Sequence, residues 1–230
     1  MYQLAYCSLS ELSEAELNDF FAAFPSLQNS FYAAGVVYDL PQSVLVTQKN
    51  YKQDDTGLLL NAISGNNGNA NTVSELIPEW QLYNIYSVPL DIHEWTSRKF
   101  PSARYWHQYS IGIKNINAAD IDGSMAVDFR NNDFTVIAAK EGKLLLTQTF
   151  SYSAPEDVLY YLLKTCQQFS LSQQGVQLQL SGLVDKQSSL YKELYQYFIH
   201  IEFREPTWNV RSDYPAHFFT SLNDLARCAS

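Results

Sequence analysis

The chain has 230 residues, of which 46% are hydrophobic and 17% are charged, a composition typical of a globular protein and not of a disordered one. Lys and Arg number 15 against 24 Asp and Glu, which gives a formal net charge of −9 and argues against binding to a nucleic-acid backbone. The length accommodates one large domain or two lobes of roughly 100 to 120 residues.

The cysteines and the apolar segments indicate the cellular compartment of the protein. Cys7, Cys166 and Cys228 are odd in number and far apart, which fits neither a disulfide framework nor the spacing of metal ligands. No stretch approaches the roughly 18 apolar residues of a membrane span, and the first residues lack the pattern of a signal peptide. We therefore expect a reduced, cytoplasmic setting, no membrane span and no bound metal.

The first half of the chain predicts strands and helices in alternation. Extended segments are predicted at Tyr2–Leu9, Val36–Thr47 with a break at Asp39–Pro41, Leu82–Val88 and Ala103–Ile113. Helices are predicted after Ser13, which forms a capping box with Glu16, and around Ile92, Trp95 and Phe100. Gly65–Asn71, with the sequence GNNGNAN, is predicted to be a flexible loop.

The second half predicts a three-stranded antiparallel meander followed by helices and strands in turn. The strands of the meander are predicted at Met125–Phe129, Phe134–Ala139 and Lys143–Tyr152. A helix begins at a capping box of Ser153 and Glu156. The later segments are a strand at Val176–Leu180, a turn at Ser181–Gly182, a helix with Leu190, Leu194 and Phe198 on one face, a strand at Ile199–Phe203, and a helix with Phe218, Leu222 and Leu225 on one face. The predicted order is β-β-β-α-β-α-β-α.

Two segments follow the same plan. LYNIYSVPLDIHEWTSRKFPSARYW and VQLQLSGLVDKQSSLYKELYQYFIHIEF both predict a strand, a short break, a helix and a strand. This similarity favours a duplicated unit, with one lobe over residues 1–118 and a second over 119–230. The first lobe then lacks its opening hairpin, which we expect either to precede Met1 or to have been lost.

The chain resembles a family of uncharacterised bacterial proteins, a domain of unknown function with an actin-like ATPase fold. The residues that carry the resemblance are AVDFRNNDFTVIAAKEGKLLLTQTFSYSAPEDVLYYLL, LQLSG, SSLYKELYQYF, PAHFFTSLNDLARC and NIYSVPLDIHEWTSRKFPSARYWHQYSI. The resemblance implies an α/β fold of two ribonuclease-H-like lobes, as in the actin, Hsp70 and sugar-kinase superfamily.

The same resemblance implies where a nucleotide site would lie. In active members of that superfamily ATP lies between the lobes, and the first hairpin turn of each lobe, close to Asp-x-Gly-x-x-Thr, binds the phosphates. Asp128 keeps the Asp of this turn, Arg130 replaces the Gly, and Asp133 stands where a hydroxyl is expected. A carboxylate within ~4 Å of a phosphate oxygen is repelled by about 4 kcal/mol at an effective dielectric constant near 20. The structural interpretation of Arg130 is a solvated turn residue or a salt bridge to Asp133.

The candidate site is therefore a vestigial cofactor-binding site. Its residues are Asp128, Arg130 and Asn131 in the phosphate turn, and Ser181 and Gly182 in the turn that corresponds to the adenosine-binding Gly-Gly pair. Other catalytic motifs are absent, and the four histidines, His93, His107, His200 and His217, are separated and expected to be structural or exposed. We predict no catalytic residue and no metal ligand.

Two functions remain open at this point. We expect a non-catalytic protein-interaction or assembly module that binds another protein or a second copy of itself, with no cofactor. The alternative is an ATPase or kinase that holds ATP and Mg²⁺ in the cleft between the lobes. Whether the protein is an enzyme is left open by the sequence, and the broken phosphate turn favours the first function.

Overall fold

The computed structural model describes residues 7, 11–29, 31–65, 68–207 and 214–229, and the chain divides into two compact units. Unit 1 runs to Ser110 and includes Ala229, and unit 2 comprises Ile111–Cys228. The division falls at 110/111, whereas the sequence predicts a boundary at 118/119. The assignment of the two halves to actin-like lobes stays a prediction.

The described residues of unit 1 form two small sheets. Its strands are β1 (Gly35–Tyr38), β2 (Ser43–Thr47), β3 (Ala70–Ile77), β4 (Leu82–Pro89) and β5 (Arg104–His107), and its helices are α1 (Glu14–Ala23), α2 (Thr56–Ser64), α3 (Leu90–Lys99) and the first turn of α4 (Gln108–Asn115). β1 pairs with β5 in parallel, and β2, β4 and β3 form an antiparallel sheet in that order. A cluster of Tyr38, Tyr86, Val88 and Ile92 joins β1, β4 and α3 in one apolar core.

Several predictions for unit 1 are confirmed. Ser13 caps α1 by accepting a hydrogen bond from the backbone N–H of Glu16. The break at Asp39–Pro41 separates β1 from β2, and β4 and α3 follow each other as the pattern indicates. The predicted strand at Tyr2–Leu9 lies outside the described residues apart from Cys7.

Two predictions for unit 1 are wrong. The segment Ala103–Ile113 is extended only as far as His107, and α4 begins at Gln108. A Cβ at Gly112 of α4 would collide with the side chain of Ile137, so this helix depends on close packing that an alternating apolar pattern does not reveal. The predicted loop at Gly65–Asn71 is also too long, because Ala70 and Asn71 pair with β4.

Unit 2 contains one five-stranded sheet with the order β10-β9-β6-β7-β8. The strands are β6 (Ser124–Phe129), β7 (Asp133–Lys140), β8 (Lys143–Ser151), β9 (Gln177–Gly182) and β10 (His200–Phe203), and the helices are α5 (Pro155–Phe169), α6 (Ser189–Tyr197) and α7 (Thr220–Ala229). β6, β7 and β8 pair antiparallel, and β6, β9 and β10 pair in parallel. The chain order β-β-β-α-β-α-β-α is the predicted one.

Apolar side chains at every second position of the strands form the core of unit 2. Val127 and Phe129 of β6 lie in the apolar core with Leu162 of α5 and Leu194 of α6. Residues between them along the strand, such as Asp128, point to the opposite face of the sheet because side chains alternate. One face of the sheet is therefore apolar under α5 and α6, and the other is free to carry polar side chains.

Two details of unit 2 correct the sequence analysis. α5 has Ala154 as its N-cap, and the carboxylate of Asp157, not that of Glu156, accepts from the backbone N–H groups of Ser153 at 2.9 Å and Ala154 at 3.1 Å. The predicted apolar face of α7 is also wrong, because Leu222 is 42% exposed. The residues that α7 buries are polar: Thr220, Asn223 and Asp224.

Among the described residues, none of the helices combines the length and the hydropathy that crossing a lipid bilayer requires.

Candidate functional site

A row of hydrogen-bonding side chains crosses the polar face of the unit 2 sheet. Asp128 of β6 lies opposite Ser181 of β9 and opposite Thr135 of β7, and Thr135 lies opposite Thr149 of β8. The Ser181 hydroxyl donates to Asp128 Oδ1 at 2.6 Å, and the two threonine hydroxyls are 2.8 Å apart. We call Ser181, Asp128, Thr135 and Thr149 the polar row. Four neighbouring strands thus contribute one residue each.

The side chain of Arg130 covers this row. Its Nη2 donates to Thr135 Oγ1 at 2.8 Å and to Thr149 Oγ1 at 3.5 Å, and its Nη1 lies 3.9 Å from Asp128 Oδ2. Its Nε forms an ion pair with Asp133, the residue that closes the same turn. The guanidinium is therefore held against the sheet by the turn's own carboxylate and by two threonines.

The backbone of the β6–β7 turn is fixed at both ends. The N–H of Arg130 donates to the carbonyl of Asp133 at 2.9 Å, and the carbonyl of Arg130 accepts from the Tyr152 hydroxyl at 3.1 Å. Asn131, the remaining candidate of this turn, is exposed at its tip. The structure therefore brings Asp128, Arg130 and Ser181 together and leaves Asn131 outside the cluster.

Gly182 allows the ends of β6 and β9 to approach each other closely. Its φ angle is 77°, and a Cβ there would lie 2.7 Å from the backbone nitrogen of Phe129 and would collide with the Phe129 carbonyl oxygen. That carbonyl accepts from the N–H of Leu183 at 2.8 Å, which joins the end of β9 to the end of β6. Only glycine fits this conformation and this approach.

A second polar cluster, which sequence reasoning missed, adjoins the row on the β10 side. Arg204 follows β10 and donates from Nη2 to Asp224 Oδ2 of α7 at 2.6 Å. Asn223 Oδ1 accepts from both the N–H and the hydroxyl of Thr207, at 3.0 and 2.8 Å. The signal was present in the sequence, because Thr220, Asn223 and Asp224 are spaced as one face of a helix.

Burial dominates the electrostatics of Asp128. Its side chain is 19% exposed, and burial raises the pKa of the carboxyl above its ordinary value. The Ser181 hydrogen bond and the charges of Arg130 and Arg204 oppose this shift, whereas the charge of Asp224 adds to it. The pKa stays raised, so Asp128 takes up a proton more readily than an exposed aspartate.

His107, one of the four histidines considered in the sequence, lies in unit 1 and is structural. It is fully buried, and Nδ1 accepts from the backbone N–H of Tyr109 at 3.1 Å, so the proton is on Nε2, which donates to the Leu40 carbonyl at 2.8 Å. Burial lowers the pKa of His107 to about 4. His107 is thus a neutral, doubly hydrogen-bonded core residue.

The part of the chain that the structure describes shows no cluster of metal ligands. There, no three His, Cys, Asp or Glu side chains come together in a way that would hold a metal ion. The carboxylates around the polar row, Asp128, Asp133 and Asp224, are each within reach of an arginine. The arrangement is therefore one of paired charges.

The comparison with solved structures identifies the fold. A Bacteroides thetaiotaomicron protein, described as having an actin-like ATPase fold and unknown function, matches with a TM-score of 0.76 and 18% identity, over 91% of this chain and 80% of that one. This likeness shows a mixed α/β chain with an actin-like ATPase fold. At this level of identity it carries no information on activity.

Two filament structures match less well. They are an AlfA filament bound to AMPPNP and an AlfA filament from a B. subtilis plasmid, with TM-scores of 0.46 and 0.43. Each is 10% identical, over 93% of this chain and 66% of that one. At these TM-scores neither match supports an argument about function.

No curated protein matches the chain. The family described as "Protein of unknown function (DUF3822)" matches residues 2–201. This confirms the family resemblance that the sequence indicated over nearly its whole length. The chain belongs to the DUF3822 family.

Proposed function

We propose that this protein is a non-catalytic module of actin-like fold that binds another protein or a second copy of itself, and that the β6–β7 turn is a degenerate nucleotide site. The observation that carries the proposal is the position of Arg130. Its guanidinium lies over the polar row, paired with Asp133 and bonded to Thr135. A phosphate-binding turn needs small residues, so that backbone N–H groups can approach the phosphate oxygens.

The charges of the turn support the same conclusion. The donors of Arg130 that would attract a phosphate already meet the Asp133 carboxylate and two threonine hydroxyls. A nucleotide would have to displace these contacts and approach the carboxylates of Asp128 and Asp133. The repulsion between a carboxylate and a phosphate oxygen ~4 Å apart amounts to about 4 kcal/mol per unit charge at an effective dielectric constant near 20.

The proposal includes the duplicated origin of the two halves, with lobes over 1–118 and 119–230. The order β4, α3, β5 in the first half matches β9, α6, β10 in the second. β9 and β10 are neighbours in one sheet, whereas β4 and β5 belong to different sheets. The repeat is thus one of element order, and the first copy has diverged in strand pairing.

We also place the module in the cytoplasm. Cys166 is a free, buried thiol, and burial raises its pKa to about 11, which makes it unreactive. Cys228 is a free thiol as well. The free thiols of Cys166 and Cys228 suit a reducing compartment.

Calorimetric titration with Mg-ATP and Mg-ADP tests the proposal directly. We expect no saturable heat at millimolar nucleotide. Saturable binding to the wild-type chain that Asp128→Ala removes would instead favour the alternative, an ATPase or kinase, and phosphate release would then measure turnover. Sedimentation velocity over a wide range of protein concentration tests self-association independently of nucleotide.

A further inference from the structure

The outer edge of β8 has no neighbouring strand among the described residues. β8 is the last strand in the order β10-β9-β6-β7-β8. Its register against β7 shifts at Ala138/Ala139, where Leu145 is the extra residue of a bulge. From Leu146 to Ser151 every residue has one partner on β7, so this part of the edge is regular and extended.

This edge lacks the usual protection against strand addition. Exposed edge strands are commonly guarded by charged residues, proline or bulges. The residues from Leu144 to Tyr152 read LLLTQTFSY and contain no charge and no proline. The bulge protects the Leu145 end only. The rest of β8 therefore presents backbone donors and acceptors that can pair with a further strand.

A groove of about 320 Å³ lies between β8 and α5. Its lining includes Leu146, Gln148 and Phe150 from β8 and Tyr161, Lys164 and Gln168 from α5. The three β8 residues alternate along the strand and share one face. Phe150 and Tyr161 stack at 4.3 Å between ring centroids. A strand added to β8 would place every second side chain in this groove.

Among the described residues that line the groove, Lys164 is the only charged one. Its Nζ donates to the Tyr160 hydroxyl at 3.2 Å, and within the described ranges it has no carboxylate partner within 4.0 Å. Arg130 and Arg204 of the same unit are both paired with aspartates. An acidic side chain on the incoming strand would complete the charge pairing at Lys164.

We propose that the β8 edge and this groove bind an extended peptide segment of a partner protein, with alternating apolar side chains and one acidic residue opposite Lys164. The segment adds a sixth strand to the five-stranded sheet of unit 2. This inference rests on the proposed function as an interaction module and names the kind of partner. A second copy of this chain fits less well, because its β8 would bring no acidic residue and its α5 a second Lys164.

Peptide selection on the full chain tests this inference. A phage-displayed library of random short peptides is selected on the immobilised protein, and enriched sequences are synthesised and titrated by fluorescence anisotropy. We expect enrichment of alternating apolar peptides that contain Asp or Glu. Hydrogen exchange with the bound peptide should slow at the alternate amides of Leu146–Ser151 that face the open edge, which a side-chain contact alone would not cause.

Two exposed substitutions with matched controls locate the site. Lys164→Glu should weaken the acidic peptides by about tenfold and favour versions with Lys in place of Glu. Gln148→Trp should fill the groove and abolish binding. Lys192→Glu on α6 and Gln167→Trp on α5 make equal changes outside the groove and should leave affinity unchanged.

Three outcomes would overturn the inference. They are a selection that enriches no peptide, enriched peptides that bind all four variants equally, and self-association that Gln148→Trp abolishes, which would make a second copy the occupant. Self-association that Gln148→Trp leaves intact, together with a failed selection, would refute this site and leave the proposed function standing. Saturable Mg-ATP binding would refute the proposed function, whatever the peptides do.

Discussion

Ser181 donates a 2.6 Å hydrogen bond to Asp128 across the parallel pair of β6 and β9. The bond favours the ionised carboxylate, and so do the nearby charges of Arg130 and Arg204, yet burial raises the pKa of Asp128. The carboxyl is therefore more costly to ionise in the folded chain than in the unfolded one. Its role in the sheet is to accept hydrogen bonds.

The first prediction concerns the pH dependence of Asp128. Its folded pKa lies above the ordinary value of 3.8, so its contribution to stability is fully present below that pH and is lost as pH rises through the folded pKa. Asp128→Asn keeps an acceptor for Ser181 and has no charge to bury. Its free energy of unfolding relative to wild type should rise between acid and neutral pH. A pH-independent difference in denaturant titrations would contradict this assignment.

Asp157 should behave in the opposite sense. Hydrogen bonds from the backbone N–H groups of Ser153 and Ala154 lower its pKa, so its stabilisation is present above the ordinary value and is lost as pH falls through the folded pKa. Asp157→Ala should lower the melting temperature at neutral pH and have less effect in acid. Glu156→Ala, one residue away, is the control and should change little. Equal effects of the two would restore Glu156 as the capping residue.

Substitutions at two glycines distinguish the cost of backbone strain from the cost of a steric collision. Gly142→Ala changes a residue with a φ angle of 75° and open space around it, and should cost about 1 kcal/mol. Gly182→Ala has a similar φ angle of 77° and also a collision with the Phe129 carbonyl, and should cost about 3 kcal/mol or more. Denaturant unfolding of both variants measures the difference. Equal costs would mean that β6 and β9 can separate at this point without penalty.

The ion pair between Arg204 and Asp224 should matter more than an exposed one. Its side chains are 17% and 4% exposed, so Arg204→Ala leaves a buried carboxylate and should cost about 3 kcal/mol. The double variant Arg204→Met with Asp224→Leu should recover most of this loss. Arg98→Ala, which breaks a pair whose side chains are 64% and 47% exposed, should cost no more than about 0.5 kcal/mol.

His107 should stay neutral far below its ordinary pKa. The folded pKa of about 4 lies below the ordinary 6.5, so the stability it contributes is present above pH 6.5 and is lost as pH falls towards 4. This difference corresponds to about 3 kcal/mol. Imidazole NMR signals should show the Nε2–H tautomer throughout that window. A titration near pH 6.5 would show that the ring is accessible to water.

The sequence predicted most of unit 2 because its periodicities are strong. Val127, Asp128 and Phe129 alternate between the two faces of the sheet, and the residues that α5 buries, such as Val158 and Leu162, recur at helical spacing. β3 starts inside a Gly/Asn-rich run, and α2 is short and exposes Leu58, so neither showed a clear period. Local pattern has little power where one side of an element is only partly covered.

The individual side-chain contacts of the candidate site were predictable only where they are local. The ion pair of Arg130 with Asp133 spans three positions and was one interpretation of the sequence. Its bond to Thr149 and the pair of Arg204 with Asp224 join separate elements. Those contacts follow from strand order and helix placement, which hydrophobic periodicity does not encode.

The last helix, α7, is attached to unit 2 by directional bonds. Asp224 meets Arg204, Asn223 meets Thr207, and Thr220 donates to the Arg204 carbonyl. A helix that packs through apolar side chains can shift along its axis or rotate slightly and keep its contacts. The three hydrogen bonds of α7, in contrast, can form together in only one orientation of the helix. The rotation of α7 about its axis and its position along that axis are thereby fixed, and a small rotation would break all three contacts together.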